Sequence, residues 1–272
     1  MTVGRGGETG EAAAQSCPLV TVDLWGVHPR HVPHAVARMA LDRRHLRRTT
    51  GVVFARSLGT GRGQTFGLRD ADVLRWGLLT VWASAREAAA FERSAMIGAW
   101  SAIAHERWRA ELHPLSSRGR WARQRPFGDP VTQPAGLTHP ADPIAAITRA
   151  RLSLRRAPAF WRAVPPVAED LARCEGLRFA VGIGEAPLGL LGTFSVWDDA
   201  EALCRFAYGS PAHADVVRRT VDGGWYKEEL FARFAVLRTH GTVKGRDPLA
   251  RSEQGPEPGG SVSPIRQQPR KT

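Results

Sequence analysis

Cysteine is scarce: Cys17, Cys174 and Cys204 are the three in 272 residues, and none lies near another. That excludes a disulfide framework and a CxxC metal or redox motif, and it points to a reducing, cytosolic setting. Long apolar runs are missing too. No stretch approaches the roughly 18 uncharged apolar residues of a membrane-spanning helix, and residues 1–16 lack the apolar core of a secretory signal. Lysine is nearly absent, 3 against 35 Arg, so arginine carries the formal net charge of +12. The arginines scatter along the chain beside abundant Ala, Gly and Pro, as GC-rich coding alone would produce. No RNP1-like motif or Cys/His finger accompanies them, and no nucleic-acid partner is expected.

What is present is core material, since 43% of the residues are apolar. Residues 1–16 and 241–272 are rich in Gly, Pro and charge without an apolar period, and they read as disordered tails. A similar stretch at 116–142 reads as a linker or lid between two halves, 17–115 and 143–240. The halves repeat each other. At an offset of 125, Pro18 falls on Pro143, Phe54 on Phe179 and Gly59 on Gly184; at 115, Val81-Trp82 falls on Val196-Trp197 and Phe91 on Phe206. Each half reads as strand, Pro-started helix, two strands forming a hairpin, capped helix and closing strand. Ser84 and Glu87 stand at capping-box spacing before the second helix, and Asp198 or Asp199 before its counterpart. The order β-α-β-β-α-β is ferredoxin-like. Two such α+β repeats packed sheet to sheet give a single-chain, pseudo-twofold α+β barrel.

Gly59, Gly61 and Gly63 (GTGRG) run into another strand rather than a helix, which favours a hairpin turn over a phosphate loop. His28, His31 and His34 have a metal-like spacing that Pro29 and Pro33 interrupt, so a solvated loop is favoured. His213 follows an expected Ser210 N-cap and Pro211, and its helical neighbours Val216, Val217 and Thr220 turn it inward. The matching stretch of the first half has no His. A ligand and a satisfied core histidine both fit His213. His105, with Trp108, Arg109 and Leu112 along a helical face, is a lesser rival. Glu185 ends a strand at a turn, where an acid or orienting acceptor would sit, though a simple turn residue is the commoner reading. Arg118, Trp121 and Phe127 combine a cation, an indole and an apolar ring in the linker, as a lid would.

SLGTG (57–61), PLSSRGRW with Pro126-Phe127, FAVGIGEAP (179–187), FSVW (194–197), AHADVVR (212–218) and GWYKEELFARFAVL (224–237) together resemble the bacterial spheroidene monooxygenase family of carotenoid biosynthesis. The resemblance implies a dimeric α+β barrel monooxygenase that inserts oxygen from O2 into a lipophilic polyene with the help of an electron donor. It implies haem as cofactor, bound without covalent attachment because no CxxCH motif is present. On that resemblance His213 is the expected haem-iron ligand and Trp121 a cofactor contact, with Glu185 and Arg118 as catalytic side chains. A polyene dissolved in membrane further implies peripheral contact at the inner face of the cell membrane. Two other classes stay open: a cofactor-independent monooxygenase of the antibiotic-biosynthesis type, and a noncatalytic ligand or nucleic-acid binder.

Overall fold

A computed structural model describes residues 18–61, 70–128, 139, 141–152, 170–171, 173–185, 190–209 and 226–250. The first repeat comprises β1 (Leu19–Val27), α1 (Val32–Leu46), β2 (Val52–Gly61), β3 (Ala71–Trp82), α2 (Ala85–Phe91), α3 (Ala95–Ser101) and β4 (Ala104–Gly119). The second comprises β5 (Ile144–Leu152), β6 (Leu177–Gly184), β7 (Leu190–Trp197), α4 (Ala200–Gly209) and β8 (Tyr226–Gly241). The helix expected from Pro158 lies outside the described residues. Helix starts follow the local chemistry: Ser84 accepts the Glu87 N–H and donates to its carboxylate, and Asp199 accepts the Ala202 N–H.

The strands close into one antiparallel barrel in the order β1-β3-β2-β6-β7-β5-β8-β4. Each repeat contributes the ferredoxin-like order, and the repeats meet at their edges, β2 on β6 and β4 on β8. The closed barrel joins both edges of each repeat's sheet to the other, with β2 and β6 pairing over three residues, Gly59–Gly61 on Gly182–Gly184. Gly59 pairs with its own repeat mate Gly184 and Gly61 with Gly182, so a pseudo-twofold axis passes through this seam. Gly59 and Gly61 therefore serve the junction of the repeats rather than a turn; Gly63 lies outside the described residues.

Alternation in each strand sends one set of side chains into the barrel and the other toward the helices. Val20, Val22, Leu24, Leu79, Val81, Trp108, Ile147, Phe194, Val196 and Phe234 fill the interior. Outside the first sheet, Trp25, Trp76, Trp82, Phe91, Met96, Ile97 and Trp100 form a second core under the helices. A smaller third core, with Ile144, Ala146, Trp197, Ala202 and Leu203, lies on the outer face of the second sheet.

The linker and the C-terminal tail look different in space from their sequence character. β4 continues through Gly119, and beyond it Trp121 and Phe127, each 1% exposed, plug the barrel. Residues 242–250 repeat this arrangement 122 positions later: Gly241 ends β8, Val243 is buried and Leu249 packs on the same core. Both plugs close with a two-residue bridge, Trp121 to Gln124 and Val243 to Arg246. The lid expected of Trp121 and Phe127 is thus a fixed stopper, and a stretch expected to be tail is folded as far as residue 250. Low apolar content hid both segments, because each needs only two anchoring side chains.

Gly119 has a φ of +94°, and a Cβ there would lie 2.1 Å from the Glu229 carbonyl oxygen. Gly119→Ala is expected to cost more than about 2 kcal/mol, through strain at positive φ and displacement of β8. Gly98→Ala, in α3 with open space around it, should instead gain a few tenths of a kcal/mol up to about 1. Thermal melts of the two variants check this pair.

Candidate functional site

The two repeats use equivalent positions differently, and the differences locate the candidate site. Cross-strand register makes Thr148 the mate of Asp23, Arg149 of Leu24, Ala150 of Trp25, Thr193 of Leu78 and Phe231 of Arg109.

On the outer face of the first sheet these positions are filled and charged. Asp23 is wholly buried and pairs with Arg107 at 2.6 Å and Arg109 at 3.2 Å. Glu92 joins both arginines, and Trp25 stacks on Trp100 with centroids 4.8 Å apart. Burial pushes the Asp23 carboxyl above its ordinary range while Arg109 and Arg107 pull it back. Trp25 and Trp100 are both buried on this side of the barrel.

The matching face of the second sheet carries smaller side chains. Thr148 is exposed where Asp23 is buried, and Ala146, Ala150, Ala180 and Thr193 line the sheet. Arg118 belongs to β4, not to a linker. It pairs across the seam with Phe231 and sets its guanidinium 5.3 Å from that ring, over this same face. Arg233 reaches Cys204 of α4 at 3.8 Å. Segments 153–169 and 210–225, which connect to β5, α4 and β8, lie outside the described residues, and His213 with them.

Inside the barrel at one end, the second repeat carries charge where the first is apolar or neutral. Arg149, 4% exposed, takes the place of Leu24, and Glu185 the place of Thr60. The Glu185 carboxylate accepts from Trp121 Nε1 and pairs with Arg149 at 3.5 Å, and its other oxygen pairs with Arg56 at 3.3 Å. Arg149 lies 5.1 Å from the Trp121 ring centroid and donates to Glu228 at 2.7 Å. Glu228 also accepts the N–H groups of Ala122 and Arg123, whose φ values are +53° and +64°. Glu106, the repeat mate of Glu228, accepts the Gly245 N–H at 2.6 Å and pairs with Arg75 at 3.0 Å. Each plug is therefore held by a strand carboxylate bonded to the N–H groups of its left-handed turn, an anion-binding arrangement of backbone donors.

Two of the expected site residues, Glu185 and Trp121, come together here, while Arg118 stands on the opposite side of the sheet. His105 is on strand β4 rather than a helix. Its exposed ring lies 4.5 Å from that of His28, which joins it to His31 and His34 in a surface cluster. Burial and the neighbouring His105, Arg30 and His31 lower the His28 pKa. Among the described residues no group of three or more His, Cys, Asp or Glu is arranged to hold a metal. Arg56, Arg149 and Glu228 escaped sequence reading. A signal existed for Arg149: it falls in the inward phase of IAAITRARL, on Leu24 at the repeat offset.

These features define a single-chain, pseudo-twofold α+β barrel whose two outer sheet faces carry different side chains. No family model matches the chain. It is 35% identical to spheroidene monooxygenase of Rhodobacter capsulatus over 80% of this chain and 90% of that protein. It is 37% identical to the protein of that name from Rubrivivax gelatinosus, over 72% of this chain and 73% of the relative. The chain belongs to the spheroidene monooxygenase family and is a monooxygenase. Among solved structures, an aldoxime dehydratase shares the fold, with a TM-score of 0.56, 11% identity and 83% of each chain covered.

Burial raises the Glu228 pKa, but the Arg123 N–H, Arg149 and the Ala122 N–H outweigh it and hold the carboxyl below its ordinary range. A depressed carboxyl stabilises the fold above the unfolded pKa, and that contribution is lost as pH falls through the lowered folded value. Glu228→Gln is expected to lose about 1–3 kcal/mol at neutral pH, with the deficit shrinking in acid. Urea titrations at stepped pH measure this; a deficit that is constant with pH would contradict it.

Proposed function

We propose that this monooxygenase inserts oxygen from O2 into a carotenoid or similar lipophilic polyene, with haem held on the outer face of the second sheet. The observation that carries the reading is the substitution of Ala150 and Thr148 for Trp25 and Asp23 at equivalent positions. A face with Ala and Thr where the other has an indole and a buried ion pair is smaller and less charged, which suits a flat macrocycle or a rigid apolar chain. Bound haem would supply oxygen activation, chemistry that no side-chain acid or base performs on an unactivated carbon.

The chain's own residues then divide the work. His213 is the residue we assign to hold the iron. Arg118 offers guanidinium donors suited to a carboxylate on the bound group, steadied by the Phe231 ring. Phe231 and the small β5 and β7 side chains orient apolar material and exclude water. Both oxygens of Glu185 are engaged by Trp121, Arg149 and Arg56, so we assign Glu185 and Trp121 to positioning the plug rather than to proton transfer. An external electron donor completes the reaction, and peripheral membrane contact gives access to the substrate.

The test restores the first repeat's indole to the second. Ala150→Trp is expected to abolish the Soret band of haem-reconstituted protein and to lower polyene oxygenation at least about tenfold, leaving the far-UV CD spectrum intact. His213→Ala should remove the Soret band of the folded protein as well. A wild-type protein that oxygenates polyene after haem removal would overturn the cofactor assignment, and an Ala150→Trp variant with full activity would overturn the location.

A further inference from the structure

Helix α1 is built against the usual pattern. A helix packed on a sheet turns its apolar stripe inward and its polar residues out. α1 does bury Ala35 and Leu46, and its buried Asp42 accepts from Trp100 Nε1 at 2.8 Å. Its outward face is nevertheless apolar through the middle, with Val36 53% and Leu41 59% exposed and Ala37 and Ala40 between them. The last turn and the residues after it read RRHLRR, and Arg43, Arg44, Arg47 and Arg48 are all exposed. Salt bridges to the described carboxylates involve other arginines, Arg38 to Asp42 within α1 itself.

An exposed apolar strip that ends in four cations matches one kind of surface. Anionic lipid offers phosphates to the guanidinium groups and an acyl boundary to the aliphatic side chains, and Arg stems reach along that boundary. An acidic protein would answer the charges but leave Val36 and Leu41 without a reason, and nucleic acid would do the same. The place of the helix in the fold also fits. α1 packs on β2, the strand that joins the second sheet through β6, and its C-terminal end points to the end of the barrel that holds Arg56 and Glu185. Burial lowers the pKa of Arg56; Glu185 opposes this, and Arg149, Arg43 and Arg47 reinforce it.

We propose that the outward face of α1 docks the enzyme on an anionic lipid surface, with Val36 and Leu41 entering the acyl boundary and Arg43, Arg44, Arg47 and Arg48 on the headgroup phosphates. The inference rests on the polyene reading for its purpose, delivery of a membrane-dissolved substrate, but not for its physical basis.

The experiment is cosedimentation of the full chain with vesicles of phosphatidylcholine alone and of phosphatidylcholine with phosphatidylglycerol, at near-physiological salt. Wild type is expected to bind the anionic vesicles and not the neutral ones. The quadruple variant R43Q/R44Q/R47Q/R48Q should bind at least about tenfold more weakly, since each basic residue at such a surface adds roughly fivefold. The double variant Val36→Ser with Leu41→Ser should lose severalfold at any salt concentration. All six positions are exposed, and unchanged melting temperatures verify the folds. Equal binding by wild type and both variants overturns the proposal, as does tighter binding to a DNA duplex than to vesicles. Turnover separates the two readings. Variants that oxygenate polyene in detergent micelles but not in vesicles support docking, whereas vesicle binding by a wild type without oxygenase activity in either medium defeats the function and leaves the docking.

Discussion

Edge pairing between the repeats is the constraint on which the rest of the structure depends. A four-stranded ferredoxin-like sheet has two unpaired edges and one bare face. Joining β4 to β8 along most of their length and β2 to β6 over three residues closes both edges, and curling the joined sheet buries both bare faces in one interior. Gly59, Gly61, Gly182 and Gly184 meet at the seam, where a Cβ on Gly182 would lie in ordinary contact, 3.4 Å, with the Gly61 backbone. Long β4 and β8 cross the opposite seam, and this carries Arg118 over the second sheet and brings each plug to its barrel end.

Once the barrel is closed, its two halves are free to diverge, because neither outer face is needed to complete the interior. The first repeat uses its outer face for stability, with stacked Trp25 and Trp100 and the Asp23–Arg107–Arg109–Glu92 network beneath its helices. Buried charge of this kind is costly to break by removing one partner. The second repeat gives up that filling for Thr148, Ala150 and Phe231. Stability there is recovered from within, where Arg149 ties Glu185, Glu228 and the Trp121 plug together.

Much of this was legible in the chain. The sequence offsets of 125 and 115 are the register equivalences of β1 with β5, β2 with β6, and β3 with β7. Strand alternation placed the core, and the Ser84 and Asp199 caps marked two helix starts because capping is a local hydrogen bond. Reading failed where the deciding contact is remote in sequence. Trp121 and Phe127 looked like a lid because Pro, Gly and Arg surround them; their burial comes from β8 and the barrel interior, about a hundred residues away. His105 looked helical because Trp108 and Leu112 share a helical period, yet pairing with β1 made the segment a strand.

The sequence by itself determined the duplication, the element order, the inward phase of each strand and the family, since all four are written in local pattern and residue identity. Tertiary structure alone decided how the sheets join, which side chains share an outer face, and which charges meet. Those outcomes depend on register across chain separations that composition does not encode. A one-residue slip would turn Arg149 outward and Ala150 into the core, and only the hydrogen-bonded ladders to β7 and β8 exclude it.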